Sequence, residues 1–299
     1  GYHYPRSPET VNEIKKNYRN FLNFFGKNIF GKTKNLYGIS SEGSKIKFED
    51  YLGFLKKNKL KFKKIKTNKF SNKIEGQILS YEKNLNYFKI KKIISKKLLR
   101  KNINIFYNST FKKIFLNRYD KIIVATYDQN NKILKNLGIL AKKKYRYELV
   151  EKIIIKLPIK YNKISCMVID GEFVCVDPYI GTKYHLLSDV KYSKLEIQEC
   201  KYPNFKHKNS KYLNSGLIKN IKVSQFQNFI KHGSKYLPFL KQSKYIGSFF
   251  VTRTIKIDKG KTDERLNEIN NNNKKIITIF SGKWNTCLGI AKKLKQYVN

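Results

Sequence analysis

Apolar residues recur at helical spacing in six segments of the chain, a pattern typical of helices that bury one face. The first helix is predicted to follow Ser7-Pro8-Glu9, because serine caps free amide groups and proline fits the first helical turn. Its apolar face comprises Val11, Ile14, Tyr18, Phe21, Leu22 and Phe25. The other helices are predicted at residues 48–55, 87–98, 130–137, 224–232 and 284–294.

Short apolar runs between the helices predict β-strands. They lie at residues 103–107, 121–127, 153–157, 166–169, 173–176, 184–187, 245–255 and 276–280. Asp170-Gly171 separates two of these runs and is a hairpin signal. Polar residues 200–220 predict a surface excursion, and Asn270–Asn273 predicts a loop. Strands dominate the middle of the chain and helices and strands mix at both ends, which predicts a nucleotide-binding domain interrupted by a second, sheet-based domain.

The last predicted strand and helix, residues 276–280 and 284–294, are joined by a tight turn. The turn contains Ser281, Gly282 and Lys283, and Asn285 and Thr286 open the helix. Amide groups at a helix start favour an anion or an electron-rich ring atom. This turn is therefore either a cofactor site or an ordinary connection between a strand and a helix.

The chain has 299 residues, of which 40% are hydrophobic, and this composition indicates a globular fold with a sizeable core. Its formal net charge of +43 would suit a nucleic-acid partner. However, only seven of the 64 basic residues are arginine, and the lysines are spread along the whole chain. Lys, Asn, Ile, Phe and Tyr share A/T-rich codons, so genome composition explains the charge and we expect no specific nucleic-acid partner. A non-catalytic protein that binds nucleic acid or another polyanion remains the alternative.

Two further features concern the compartment. No apolar stretch approaches 18 residues, so no membrane span is expected, and we expect a cytoplasmic protein. The four cysteines form no C-x-x-C pair and no metal-ligand cluster, which favours structural thiols in a reducing compartment.

Residues Gly26–Thr33 match the phosphate-binding pattern G-x-x-x-x-G-K-[ST]. That loop needs a buried strand before it and a helix after it. Here residues 11–25 are predicted to be a helix and residues 35–46 a loop or strand. The context is reversed, so we interpret the match as a coincidence rather than an ATP site.

Six segments taken together resemble the FAD-dependent oxidoreductases of the D-amino-acid-oxidase-like family. They are GYHYPRSPET (1–10), NINIFYNST (102–110), YDKIIVATY (119–127), VIDGEFVCVDPYIGTKYHLL (168–187), TDERL (262–266) and IFSGKWNTCLGIAKKL (279–294). Each is moderately specific, and their order along the chain is the stronger argument. Family members open with a strand, a G-x-G-x-x-G turn and a helix, and this sequence contains no G-x-G-x-x-G. The resemblance therefore implies that these 299 residues are an N-terminally truncated fragment.

The resemblance implies an α/β plus α+β fold with two domains. A Rossmann-like FAD-binding domain, without its first βαβ unit, is expected to comprise residues 1–35, 81–140 and 246–299. A substrate domain built on a mostly antiparallel sheet is expected to comprise residues 36–80 and 141–245.

The resemblance also implies a set of residues around the cofactor FAD. Those beside the flavin ring would be Gly1, Tyr2 and His3. Those that end the strand near the cofactor diphosphate would be Val124, Ala125 and Thr126. Those around the pyrimidine end of the ring would be Gly282, Lys283, Asn285 and Thr286. The positive helix start there would stabilise the charge that develops at N1–C2=O on reduction.

Such an enzyme moves a hydride from a carbon that bears an amine or hydroxyl to flavin N5, so the expected substrate is a small amine, amino acid or hydroxy acid. A carboxylate on the substrate calls for an arginine, whose planar fork binds both oxygens. We expect Arg253 to play this part, with Arg265 next and Arg6 third; the alternative is a structural ion pair, for example between Arg265 and Asp263. His3 completes the candidate catalytic residues. The sequence leaves the electron acceptor open.

Overall fold

A computed structural model of the chain describes residues 1–99, 103–257 and 263–298. Seven α-helices occur in these ranges: α1 Pro8–Phe25, α2 Phe48–Lys57, α3 Tyr87–Leu99, α4 Asn130–Asn136, α5 His207–Ser210, α6 Phe226–Gly233 and α7 Cys287–Val298. Within them, no helix is both long enough and apolar enough to cross a membrane. The same ranges contain twelve strands, which form two sheets.

The larger sheet has nine strands. They are β1 Lys34–Ser40, β2 Phe62–Lys64, β3 Ile74–Ser80, β5 Tyr145–Lys156, β6 Ile164–Ile169, β7 Val174–Pro178, β8 His185–Asp189, β9 Lys194–Cys200 and β10 Lys244–Lys256. Their order is β10-β5-β8-β7-β6-β1-β3-β2, and β9 pairs with β5 beside β8. All neighbours are antiparallel except β1 and β6. The predicted, mostly antiparallel sheet is confirmed.

The main hydrophobic core lies between this sheet and the region around α6. The sheet contributes buried residues such as Ile153, Val174 and Leu187, and α6 contributes Phe229. Burying a side chain of this size stabilises the fold by about 1.5–3 kcal/mol, so this cluster gives the sheet a fixed frame on which cleft residues can be held.

The smaller sheet comprises β4 Ile122–Val124, β11 Glu268–Asn271 and β12 Ile276–Phe280, in the order β11-β12-β4. Strands β4 and β12 are parallel, whereas β11 is antiparallel to β12. Leu134 of α4 packs beneath β4 in a small cluster of buried residues. Two segments that are distant in sequence, and that the family resemblance placed at the cofactor, therefore lie on neighbouring strands.

Most predicted elements are confirmed, because their burial patterns match the observed helices and strands. Helix α1 begins as expected, with Ser7 accepting a hydrogen bond from the amide of Thr10. The segment Gly26–Thr33 follows this helix and precedes β1, which confirms the reversed context of the phosphate-loop match.

The strand predicted at 103–107 is wrong. These residues have no regular structure, and Phe106 and Tyr107 are more than 70% exposed. An apolar run becomes a strand only beside a chain that offers hydrogen-bond partners, and no strand within the described ranges pairs with it. Residues 102 and 262, the first residues of two of the family-like segments, lie outside the described residues.

Four strands were not predicted: β2, β3, β9 and β11. Most side chains of β9 are charged or polar, and most are only partly buried. Strand β11 overlaps the segment Asn270–Asn273, which was predicted to be a loop. Strand β10, in turn, pairs with β5 along nearly its whole length. It therefore belongs to the large sheet, although the proposed domain division assigns residues from 246 onward to the FAD-binding domain. The domain division itself stays a proposal.

Candidate functional site

A cleft of about 660 Å³ lies on one face of the large sheet. Its floor includes alternate residues of β5, Arg146, Glu148 and Lys152, because successive side chains of a strand point to opposite faces. The segment from His3 to Arg6 and the turn after β12 complete the wall. The cleft thus joins the sheet to the turn that the sequence singled out as a candidate cofactor site.

Asn130 ties this turn to the end of β4. Its side-chain oxygen accepts hydrogen bonds from the amide and the hydroxyl of Thr126, and its side-chain nitrogen donates to the carbonyl of Ile279 at 2.8 Å. Val124 pairs with Thr278 across the two strands. The predicted neighbours of the cofactor diphosphate and of the flavin ring are therefore brought together by a buried asparagine that sequence reasoning missed.

Gly282 lies at the closest approach of two backbone segments. A Cβ atom at this position would overlap the carbonyl group of Arg265. The glycine is therefore required by local packing, and it lets the backbone of the turn line the cleft.

Lys283 is a desolvated cation at the cleft wall. Its Nζ lies 4.3 Å from the centre of the Tyr4 ring, a cation–π contact. Burial lowers the pKa of Lys283 from its ordinary 10.5 to about 8. No carboxylate in the described part of the chain forms an ion pair with this ammonium. An anionic or electron-rich group in the cleft would therefore find a cation whose charge is poorly compensated.

His3 faces the same cleft. Burial lowers its pKa, so the imidazole is neutral at pH 7 and one ring nitrogen can accept a proton. Its Nδ1 lies 3.5 Å from the hydroxyl of Tyr37, which donates a hydrogen bond to Glu82. The ring also meets Tyr37 edge to face at 6.0 Å. These contacts hold the imidazole in one orientation.

The candidate arginines line the cleft, and each has a carboxylate partner. Arg253 Nε donates to Glu148 Oε2 at 2.6 Å, Arg265 pairs with Asp263, and Arg6 pairs with Asp170. The structural ion pair considered for Arg265 thus exists. Arg253 keeps 42% of its side chain exposed, so it can still meet a ligand.

Glu148, which sequence reasoning missed, is the buried partner of Arg253. It is 1% exposed, and its other oxygen accepts from Arg146 Nε at 2.9 Å. Arg146 and Glu148 alternate on one strand in YRYELV, so they share a face. Because arginine is rare in this chain, the alternation of Arg146 and Glu148 was the sequence signal that could have identified Glu148 as a site residue.

The remaining predicted site residues lie around the cleft rather than on it. Tyr2 is buried in a core cluster and its hydroxyl donates to the carbonyl of Lys61, while Gly1 packs near Val11. Thr286 is buried and donates to the carbonyl of Lys283 at 2.7 Å, which closes the turn. Ala125, Thr126 and Asn285 are at least partly exposed, whereas Val124 is buried.

Comparison with solved structures identifies proteins of similar architecture. L-α-glycerophosphate oxidase from Mycoplasma pneumoniae, solved with FAD bound, aligns with 100% of this chain and 84% of its own, at a TM-score of 0.65 and 11% identity. The chain has the D-amino-acid-oxidase-like fold. L-proline dehydrogenase from P. horikoshii aligns over 91% of this chain and 73% of its own (TM-score 0.63, 10% identity).

Glycine oxidase from Geobacillus kaustophilus shares the same fold over 98% of this chain and 79% of its own, at a TM-score of 0.58 and 9% identity. No protein-family model and no curated protein matches the chain. Identities this low carry the fold but not the chemistry, so the function has to be argued from the cleft.

Proposed function

We propose that the protein is an FAD-dependent oxidoreductase that moves a hydride from a C–N or C–O carbon of a small amine, amino acid or hydroxy acid to flavin N5. The observation that carries this proposal is the cleft itself. Its lining includes the turn with Gly282 and Lys283, four arginines and a neutral histidine. The cleft thus contains both an ammonium group suited to the flavin and guanidinium groups suited to a substrate carboxylate.

The residues at the turn fit a flavin ring. Gly282 offers backbone without a side chain, and Lys283 offers a desolvated ammonium without a carboxylate partner among the described residues. Such a cation suits the N1–C2=O edge, which becomes negative on reduction. When bound, the flavin supplies the hydride acceptor. The protein supplies orientation and charge.

The substrate side follows from the other cleft residues. Arg253 would bind the carboxylate and hold the reacting C–H bond in place. His3, neutral at pH 7, would accept the proton that leaves the amine or hydroxyl. Structural neighbours named glycine oxidase and L-proline dehydrogenase support an amino acid as one candidate substrate.

The test is flavin binding by the protein expressed from its whole gene. FAD should bind with a shifted absorbance spectrum and quenched fluorescence. Lys283→Met should weaken binding at least tenfold and lower the flavin reduction potential, because the cation favours the reduced, negative ring. Lys292→Met, at an exposed position of α7, is the matched control and should change neither value. A protein that shows no flavin absorbance after FAD is supplied would end the proposal.

A further inference from the structure

Arginine is concentrated at the cleft. Four of the seven arginines line it, Arg6, Arg146, Arg253 and Arg265, whereas only five of the 57 lysines do. Outside the cleft lining the chain has 52 lysines and only three arginines. Arginine differs from lysine in its rigid fork, which binds two oxygens of an anion at once. The distribution indicates that the cleft needs that geometry.

Glu148 organises two of these arginines. One oxygen accepts from Arg146 Nε at 2.9 Å, and the other accepts from Arg253 Nε at 2.6 Å. The carboxylate thereby offsets the repulsion between two guanidinium groups that face one cavity. Both arginines remain partly exposed, at 36% and 42% of their side chains. Glu148 engages both Nε and Nη2 of Arg253, and Nε of Arg146, whose Nη1 lies 3.8 Å from Glu199. Among the described residues this leaves Nη1 of Arg253 and Nη2 of Arg146 for a ligand.

Lys194 adds a third cation. It lies on β9 beside Val150 of β5 and lines the same cleft. Burial lowers its pKa, the nearby charges of Arg253 and Arg146 lower it further, and Glu148 opposes them. Lys194 forms no ion pair within the described residues.

Three cations therefore surround one buried carboxylate. Two other carboxylates are near. Glu199 lies 3.8 Å from Arg146 and Glu172 acts on Lys194, but both are exposed, so water and salt screen their charges. The group formed by Arg146, Arg253, Lys194 and Glu148 thus has an excess of about two positive charges. A single substrate carboxylate would leave one of them uncompensated.

We propose that Arg146, Arg253 and Lys194, with Glu148 as the positioning residue, bind a doubly negative portion of the substrate: a phosphate monoester or two carboxylates. This inference rests on the proposed function for its place in a reaction. The anion site itself, however, can be measured without flavin, so the two proposals can fail separately.

The experiment titrates the protein expressed from its whole gene with malonate, inorganic phosphate and acetate at pH 8 and constant ionic strength. Binding is followed by calorimetry and by protection of Arg146 and Arg253 from phenylglyoxal, mapped by mass spectrometry. At least one dianion should bind ten or more times more tightly than acetate and protect both arginines. Tighter binding of malonate points to a dicarboxylate, and tighter binding of phosphate points to a phosphate monoester.

Three variants test the assignment of residues. Arg253→Lys keeps the charge but loses the fork, and Lys194→Gln loses one charge; each should weaken dianion binding at least tenfold. Arg19→Gln, at an exposed position of α1, is the matched control and should bind as the wild type does. Circular dichroism and the unfolding midpoint establish that each variant is folded.

Equal affinity for acetate and both dianions would overturn the proposal, as would undiminished binding by folded Arg253→Lys and Lys194→Gln. If the protein binds malonate or phosphate as expected but takes up no FAD, the anion site stands and the proposed function fails. If it binds FAD but distinguishes no dianion from acetate, the proposed function stands and the doubly negative substrate is refuted.

Discussion

Replacing Lys283 by methionine should stabilise the flavin-free protein at pH 7. A pKa of about 8 in place of 10.5 means that the folded protein disfavours the charged ammonium. One pKa unit corresponds to about 1.4 kcal/mol, so the penalty is on the order of 3 kcal/mol. Methionine removes the charge but also the contact with Tyr4, which lies at 4.3 Å and is worth about 1 kcal/mol. The expected net gain is about 2 kcal/mol.

This gain should depend on pH in a defined window. Below pH 8 the lysine is charged in the folded and unfolded states, so the whole penalty is present. Between pH 8 and 10.5 the unfolded state binds more protons than the folded state, and the wild type therefore regains stability as the pH rises. Above pH 10.5 both states are neutral and the two proteins should differ little.

The assay is urea unfolding of flavin-free wild type, Lys283→Met and the control Lys292→Met at pH 7 and 10.5. The difference between the wild type and each variant isolates one lysine from the many other groups that titrate. A Lys283→Met protein less stable than the wild type at pH 7, or a stability difference that stays constant with pH, would refute a desolvated, uncompensated ammonium at this turn.

Two further predictions concern the frame of the cleft. Gly282→Ala should lower the free energy of unfolding by at least about 1–3 kcal/mol, because the added Cβ overlaps the carbonyl of Arg265. The control Gly53→Ala lies in α2, where the added Cβ meets no other atom, and should be neutral or stabilising. Equal effects of the two substitutions in urea unfolding would contradict this prediction. Asn130→Ala should lower the free energy of unfolding by about 1–3 kcal/mol, because the hydrogen bonds that join Thr126 to Ile279 are lost. Hydrogen exchange at the amide of Thr126 should become faster; an unchanged exchange rate would show that these hydrogen bonds are dispensable.

Local patterns were sufficient to predict the elements that bury one face or carry turn residues. Helix α1 has both a cap at Ser7 and an apolar stripe, and the runs in the middle of the chain are buried as expected. Strand β9 escaped prediction because it lacks a strong apolar face. Its hydrogen bonds to β5 define it, and sequence periodicity does not report such partners.

The residues of the candidate site also comprise some that local sequence patterns predicted and some that they did not. The turn at Gly282 and Lys283 was predicted because strand, turn and helix are contiguous in sequence. Glu148 and Asn130 were not, because their roles depend on Arg253 and Ile279, more than a hundred residues away. Periodicity gives the face on which a residue lies, but not the long-range partner that meets it.

The parallel pairing of β1 with β6 has a consequence for synthesis on the ribosome. More than a hundred residues separate these central strands, so β1 leaves the ribosome on the order of ten seconds before its neighbour exists. During that interval β1 can pair with β3, but its other edge stays open and the side chains of Tyr37 and Ile39 lack the cover of Met167 and Ile169. Open strand edges recruit other chains. The nascent protein should therefore depend on chaperones that shield this edge until translation passes β6.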